Sequence, residues 1–74
     1  MNLYNWNAIP DQYKFVAMNK DRDIYAYKEE PCVDNKWNEW VSVDTEAKFL
    51  GGAEYCLNFP DWQDTLEQRP DWSD

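Results

Sequence analysis

At 74 residues the chain is a single domain, close to the lower size at which one hydrophobic core suffices. Five Trp, five Tyr and three Phe compensate for the small size, and an apolar share of 43% excludes a fully disordered chain. The net charge of −8, from 15 acids against 7 bases and no His, argues against nucleic acid or an anionic membrane as a direct ligand and favours basic surfaces.

Residues 1–12 read as an irregular N-terminal arm, punctuated by Pro10-Asp11, with Leu3, Tyr4, Trp6 and Ile9 available to dock it. Residues 13–18 alternate as a strand, with Tyr13, Phe15 and Ala17 on one face and Lys14, Val16 and Met18 on the other. Asn19-Lys20-Asp21-Arg22-Asp23 has turn chemistry, and a second strand over 24–30 completes a β-hairpin that Pro31 ends. Ile24 and Ala26 face one way there, Tyr25 and Tyr27 the other. A loop over 32–36 leads to a third strand over 37–43, in which Trp37, Val41 and Val43 share a face and Trp40 points to the opposite one. Residues 47–50 supply a short fourth strand before the Gly51-Gly52 break.

Pro60 suits the first turn of a helix over 60–69, with Asp61 and Asp64 near its positive end, Arg69 near its negative end and Pro70 as its stop. Trp62 and Leu66, four apart, share a face of that helix. The expected fold is therefore α+β: a sheet of three or four antiparallel strands over 13–50, one short C-terminal helix over 60–69 and an acidic tail over 70–74. The expected core is Phe15, Ala17, Ile24, Ala26, Trp37, Val41, Leu50, Trp62 and Leu66.

The residues point away from catalysis. There is no His to act as a base for Cys32 or Cys56, and no nucleophile elbow or phosphate-binding loop. The carboxylate pairs Asp21/Asp23, Glu29/Glu30 and Asp61/Asp64 read as solvated surface acids, and Asp21-Arg22-Asp23 lacks the glycine and bidentate Glu of a calcium loop. No cofactor or metal is expected. No apolar stretch reaches the roughly 18–20 residues of a membrane span, and the first residues lack the pattern of a secretory signal. A cytoplasmic location follows as the expectation, with both cysteines as free thiols and a disulfide as the alternative.

The acidic skew is the most informative feature. Residues 1–48 hold nine acids and six bases, whereas 49–74 hold six acids and one base. Regularly spaced carboxylates at Asp61, Asp64, Glu67 and Asp71 could imitate DNA phosphates in a basic groove; a solvated acidic end is the plainer alternative. Surplus aromatics are the second feature. Tyr25, Tyr27 and Trp40 on one sheet face, together with Trp72, are candidate partner contacts, unless the arm or the helix covers that face and makes it core, or Trp72 folds back on Trp62. The expected partner is a protein with a basic surface; the alternative is a structural or assembly role, in which the chain self-associates or docks on a larger particle through the aromatic face.

The closing run Phe59-Pro60-Asp61-Trp62-Gln63-Asp64-Thr65-Leu66-Glu67-Gln68-Arg69-Pro70 follows Ile9-Pro10, Tyr13, Val16-Ala17-Met18, Ile24-Tyr25-Ala26-Tyr27, Pro31 and a Trp near 37–40. Across about residues 9–70 this resembles a group of small uncharacterised phage-encoded accessory proteins that pair a hairpin with a closing P-D-W…L…R-P motif. The chain departs from that pattern at Arg22, where a glycine is expected. The resemblance carries no activity. It implies a context in a bacterial host cytoplasm, in which such a protein binds and modulates or inhibits a host enzyme or defence complex.

Overall fold

The computed structural model describes residues 3–43, 47–52 and 61–70. Its six strands are β1 (Phe15–Met18), β2 (Asp23–Tyr27), β3 (Cys32–Asp34), β4 (Glu39–Val41), β5 (Lys48–Gly52) and β6 (Glu67–Gln68). They form a four-stranded antiparallel sheet in the order β5-β2-β1-β6 and a two-stranded sheet of β3 and β4. Three-residue 3-10 turns at Trp6–Ala8 and Trp62–Asp64 are the sole helical elements among the described residues. The fold is therefore all-β, and the α+β expectation with a helix over 60–69 is overturned.

The first hairpin forms where the alternation places it. Val16 pairs with Ala26 and Ala17 with Tyr25. The Asn19 amide donates to the Asp23 carbonyl and the Arg22 amide to the Asn19 carbonyl, both at 2.9 Å, leaving three residues in the loop. Such loops pair a turn with one residue in the left-handed region, and here that residue is Arg22, at φ 74°. An L side chain is strained there by about 1–2 kcal/mol. Arg22→Gly is accordingly expected to raise stability by about 0.5–1 kcal/mol, after the extra freedom of glycine in the unfolded chain is counted. A urea midpoint that does not rise would refute this.

Register decides the faces. Residues directly opposite in an antiparallel pair lie on the same side of the sheet. Phe15 and Ala17 thus share a face with their partners Tyr27 and Tyr25, and not with Ile24 and Ala26 as a single core would require. Each face has its own apolar cluster. Val16 and Ala26 pack under the arm with Trp6, Ile9 and Tyr13, joined by Tyr4, Ile24 and Leu50. Ala17 and Tyr27 pack under the second sheet with Trp40, joined by Phe15, Tyr25, Val33, Trp62 and Leu66. The four-stranded sheet is the middle layer of three.

The loop expected over 32–36 is instead part of a second hairpin, in which Val33 pairs with Trp40. This hairpin turns Trp40 inward and Trp37 outward. Trp40 is 8% exposed, whereas Trp37 is 65% and Val41 36% exposed, so the last two leave the expected core. Hydrogen bonding dictates the choice. The Trp40 amide donates to Asn19 Oδ1 at 2.8 Å, and its indole Nε1–H donates to the carbonyls of Met18 and Trp62 at 3.0 and 3.1 Å. Trp37, at the turn, stays exposed, with Lys36 Nζ over its ring at 5.5 Å.

β5 continues through the expected glycine break. Tyr25 pairs with Phe49 and Ile24 with Gly51, which leaves Leu50 as the extra residue of a bulge. Gly51 takes φ 122°, a value that L side chains rarely adopt. The bulge keeps the Phe49 ring beside Tyr25 while Leu50 drops to the arm side.

The C-terminal segment is a strap, not a helix. After the turn at Trp62–Asp64 the chain extends and pairs with the edge of β1, Val16 opposite Glu67. A helix of ten residues gains little on its own in water, so tertiary bonding decides its fate. Here Asp61 makes no capping bond, and Thr65 is 0% exposed, its hydroxyl held against the Met18 backbone. The four-residue spacing of Trp62 and Leu66 brings both to one cluster all the same.

Candidate functional site

The strap spends most of its polar groups on the molecule itself. Glu67 accepts from the Trp6 indole at 2.6 Å through Oε1 and from the Leu3 amide at 2.8 Å through Oε2. Arg69 donates from Nε to the Tyr13 carbonyl at 2.9 Å and from Nη2 to the Ile9 and Pro10 carbonyls at 3.1 and 2.6 Å. Its guanidinium also lies over the Trp6 ring, 4.8 Å from the centroid. The Tyr4 hydroxyl donates to the Thr65 carbonyl at 2.7 Å. Glu67 is therefore an internal acid that holds the arm, and it is separated in role from Asp61 and Asp64, which are exposed. Asp71 and Trp72 lie outside the described residues, as do Cys56 and the acidic tail; Cys32 is an exposed free thiol.

Tyr25 and Tyr27 share one face of the four-stranded sheet, as the alternation places them, and Trp40 packs onto that face from the second sheet. Tyr27 is 4% exposed and Trp40 8%, with the Trp40 ring set edge-on to Trp62 at 6.5 Å between centroids. Tyr25 is half-buried and its ring sits 5.4 Å from that of Phe49. What remains open is a cleft of about 260 Å³ whose walls include Tyr25, Tyr27, Trp40, Val41 and the half-buried Glu39. A second cleft of about 280 Å³ opens between the two hairpin turns, lined by Asn19, Lys20, Asp21, Trp37, Asn38 and Glu39. Asn19 and Glu39 border both.

Burial pushes the Tyr27 hydroxyl up to about 12, with the neighbouring Tyr25 and the Glu39 carboxylate adding to the effect. The unfolded chain loses this proton near pH 10, whereas the folded one keeps it until near pH 12. The associated stability is complete below pH 10 and is lost as pH rises towards 12, about 2–3 kcal/mol in all. Urea midpoints at pH 9 and 12 should diverge more in the natural chain than in Tyr27→Phe. Equal divergence in the two would overturn the assignment.

Glu39 is the charged cleft residue that sequence reasoning overlooked. Its signal was present as the one charge in the strand-like run from Trp37 to Val43. Phe49, 55% exposed beside Tyr25, lies outside the lining of both clefts. Among the described residues no three acids or thiols converge as metal ligands, and no helix is long and apolar enough to cross a membrane.

The site and fold define a small two-sheet β protein with an acidic, aromatic-walled cleft. No family model, curated protein or solved structure matches the chain.

Proposed function

We propose that the chain is a non-catalytic binding protein that docks on a basic surface of another protein and thereby modulates or inhibits it. The observation that carries this reading is the −8 charge combined with an aromatic cleft that holds a carboxylate. Exposed acids such as Asp11, Asp21, Glu29, Glu30, Asp61 and Asp64 would steer the encounter, and aromatic side chains would supply the short-range contact. The resemblance to phage accessory proteins adds a context in which the partner is a host protein of the bacterial cytoplasm. Imitation of a DNA backbone is the sharper form of the proposal. It would rest on Asp61 and Asp64 without Glu67, which is committed to the arm.

The test is retention of proteins from a bacterial lysate on the tagged chain at about 0.05 M and 1 M salt, where the Debye length falls to roughly 3 Å. The expected result is a basic protein released by salt and held several-fold more weakly by the double variant Asp61→Asn/Asp64→Asn. Retention that ignores both salt and these substitutions would sink the electrostatic reading. Self-association is the alternative, favoured by the exposed Trp37, Val43 and Phe49 and opposed by repulsion between two strongly acidic copies. A mass that rises with concentration would support it.

A further inference from the structure

The cleft under β4 has a chemistry more specific than general acidity. Tyr25, Tyr27, Trp40 and Glu39 line it, and among the described residues no Lys or Arg does. Glu39 is half-buried, and among the described residues it makes no ion pair and no side-chain hydrogen bond. An aromatic wall attracts a cation through its ring quadrupoles, and a carboxylate beside it supplies the counter-charge. A volume of about 260 Å³ lies just below the roughly 300–1,000 Å³ of small-molecule pockets, a size suited to one inserted side chain. The second cleft is a poorer candidate for a cation, since Lys20 lines it and Lys36 already covers the Trp37 ring.

Resting on the proposed binding role, we infer that this cleft receives one arginine side chain of the partner protein, with Glu39 as its counter-ion, the half-buried Tyr25 as its open aromatic wall and the buried Tyr27 and Trp40 as its floor. Arginine is preferred to lysine because a planar guanidinium can stack on an aromatic ring and bond a carboxylate through two N–H groups at once, and sheds water more readily.

The test is titration of the labelled protein with N-acetyl-arginine amide, its neutral citrulline counterpart and N-acetyl-lysine amide, followed by proton–nitrogen correlation spectra. Saturable shifts are expected at the Trp40 indole and at the amides of Tyr25 and Glu39. Citrulline should leave them in place, and lysine should bind several-fold more weakly. Glu39→Gln should weaken arginine binding roughly tenfold with the remaining spectrum intact, and Glu39→Asp should restore part of it. Equal shifts from arginine and citrulline, or arginine binding unchanged in Glu39→Gln, would overturn the assignment. Lysate proteins retained in a salt-dependent way but equally by Glu39→Gln would likewise remove the arginine site and leave the wider role standing. Arginine held in the cleft with no basic protein retained would support the site and remove the wider role.

Discussion

Thr65→Val is expected to lower the stability of the protein by about 2–3 kcal/mol, although valine nearly matches threonine in shape. Thr65 is wholly buried beside the end of β1, where β6 no longer pairs. Its oxygen accepts from the Met18 amide at 2.9 Å, standing in for the backbone carbonyl that a longer β6 would have supplied. Its hydroxyl lies 2.6 Å from the Trp62 carbonyl and 3.1 Å from that of Met18, and its single proton serves one of them at a time. Both carbonyls also receive the Trp40 indole, so the substitution orphans chiefly the Met18 amide. A buried donor left without an acceptor costs about 1–3 kcal/mol, against a total of about 4–11 kcal/mol for a chain of this length. Thr65→Ser keeps the oxygen and should retain most of the stability. Urea denaturation of the two variants separates a bonding role from a packing one, and equal losses in both would refute the bonding role.

Arg69→Met is expected to cost about 2–4 kcal/mol and to release the N-terminal arm from the sheet. The side chain bonds the Ile9 and Pro10 carbonyls of the arm and the Tyr13 carbonyl just after it, and stacks on Trp6. Its ion pair with Asp11 is long, at 3.8 Å, and Asp11 is fully exposed, so the carbonyl bonds carry the effect. Arg69→Lys keeps the charge but cannot reproduce the fork, and should recover less than half of the loss. The readout is the Trp6 indole proton, which should lose its downfield position as the bond to Glu67 opens. An arm that stays docked in Arg69→Met would show that the apolar contacts of Trp6 and Ile9 suffice alone.

Both predictions concern the same strap, and they shape the functional tests. Substituting Glu67 together with Asp61 and Asp64 would confuse lost charge with a loosened arm, because Glu67 bonds Trp6 and Leu3. The Glu39 side chain, by contrast, makes no hydrogen bond or ion pair among the described residues, and its substitution tests recognition with the β4 backbone pairing left in place.

What was legible in the sequence was local. The strands expected over 13–18 and 24–30 form over Phe15–Met18 and Asp23–Tyr27, with the turn between them where the polar run placed it, but Tyr13 packs on the Val16 side and not with Phe15 and Ala17. The departure from glycine at Arg22 marked the residue that now holds a positive φ. That Tyr25 and Tyr27 share a face also follows from parity, because side chains two apart cannot change sides within a strand; that Trp40 packs on that face from the second sheet does not.

What only the tertiary structure decided was which partner each apolar face would find. Val16 and Ala17 are both 0% exposed, since the arm covers one side of the sheet and the second hairpin the other, a choice that periodicity does not encode. Trp40 turned inward in preference to Trp37 because Asn19, Met18 and Trp62 offered its N–H groups acceptors there. The run over 61–69 satisfies helical spacing and helical charge rules, yet it lies extended where it can complete the exposed edge of β1. A short helix would have bonded its own backbone but left that edge open, whereas a strand, a buried threonine and a bonded arginine close the edge and tie down the arm in one segment.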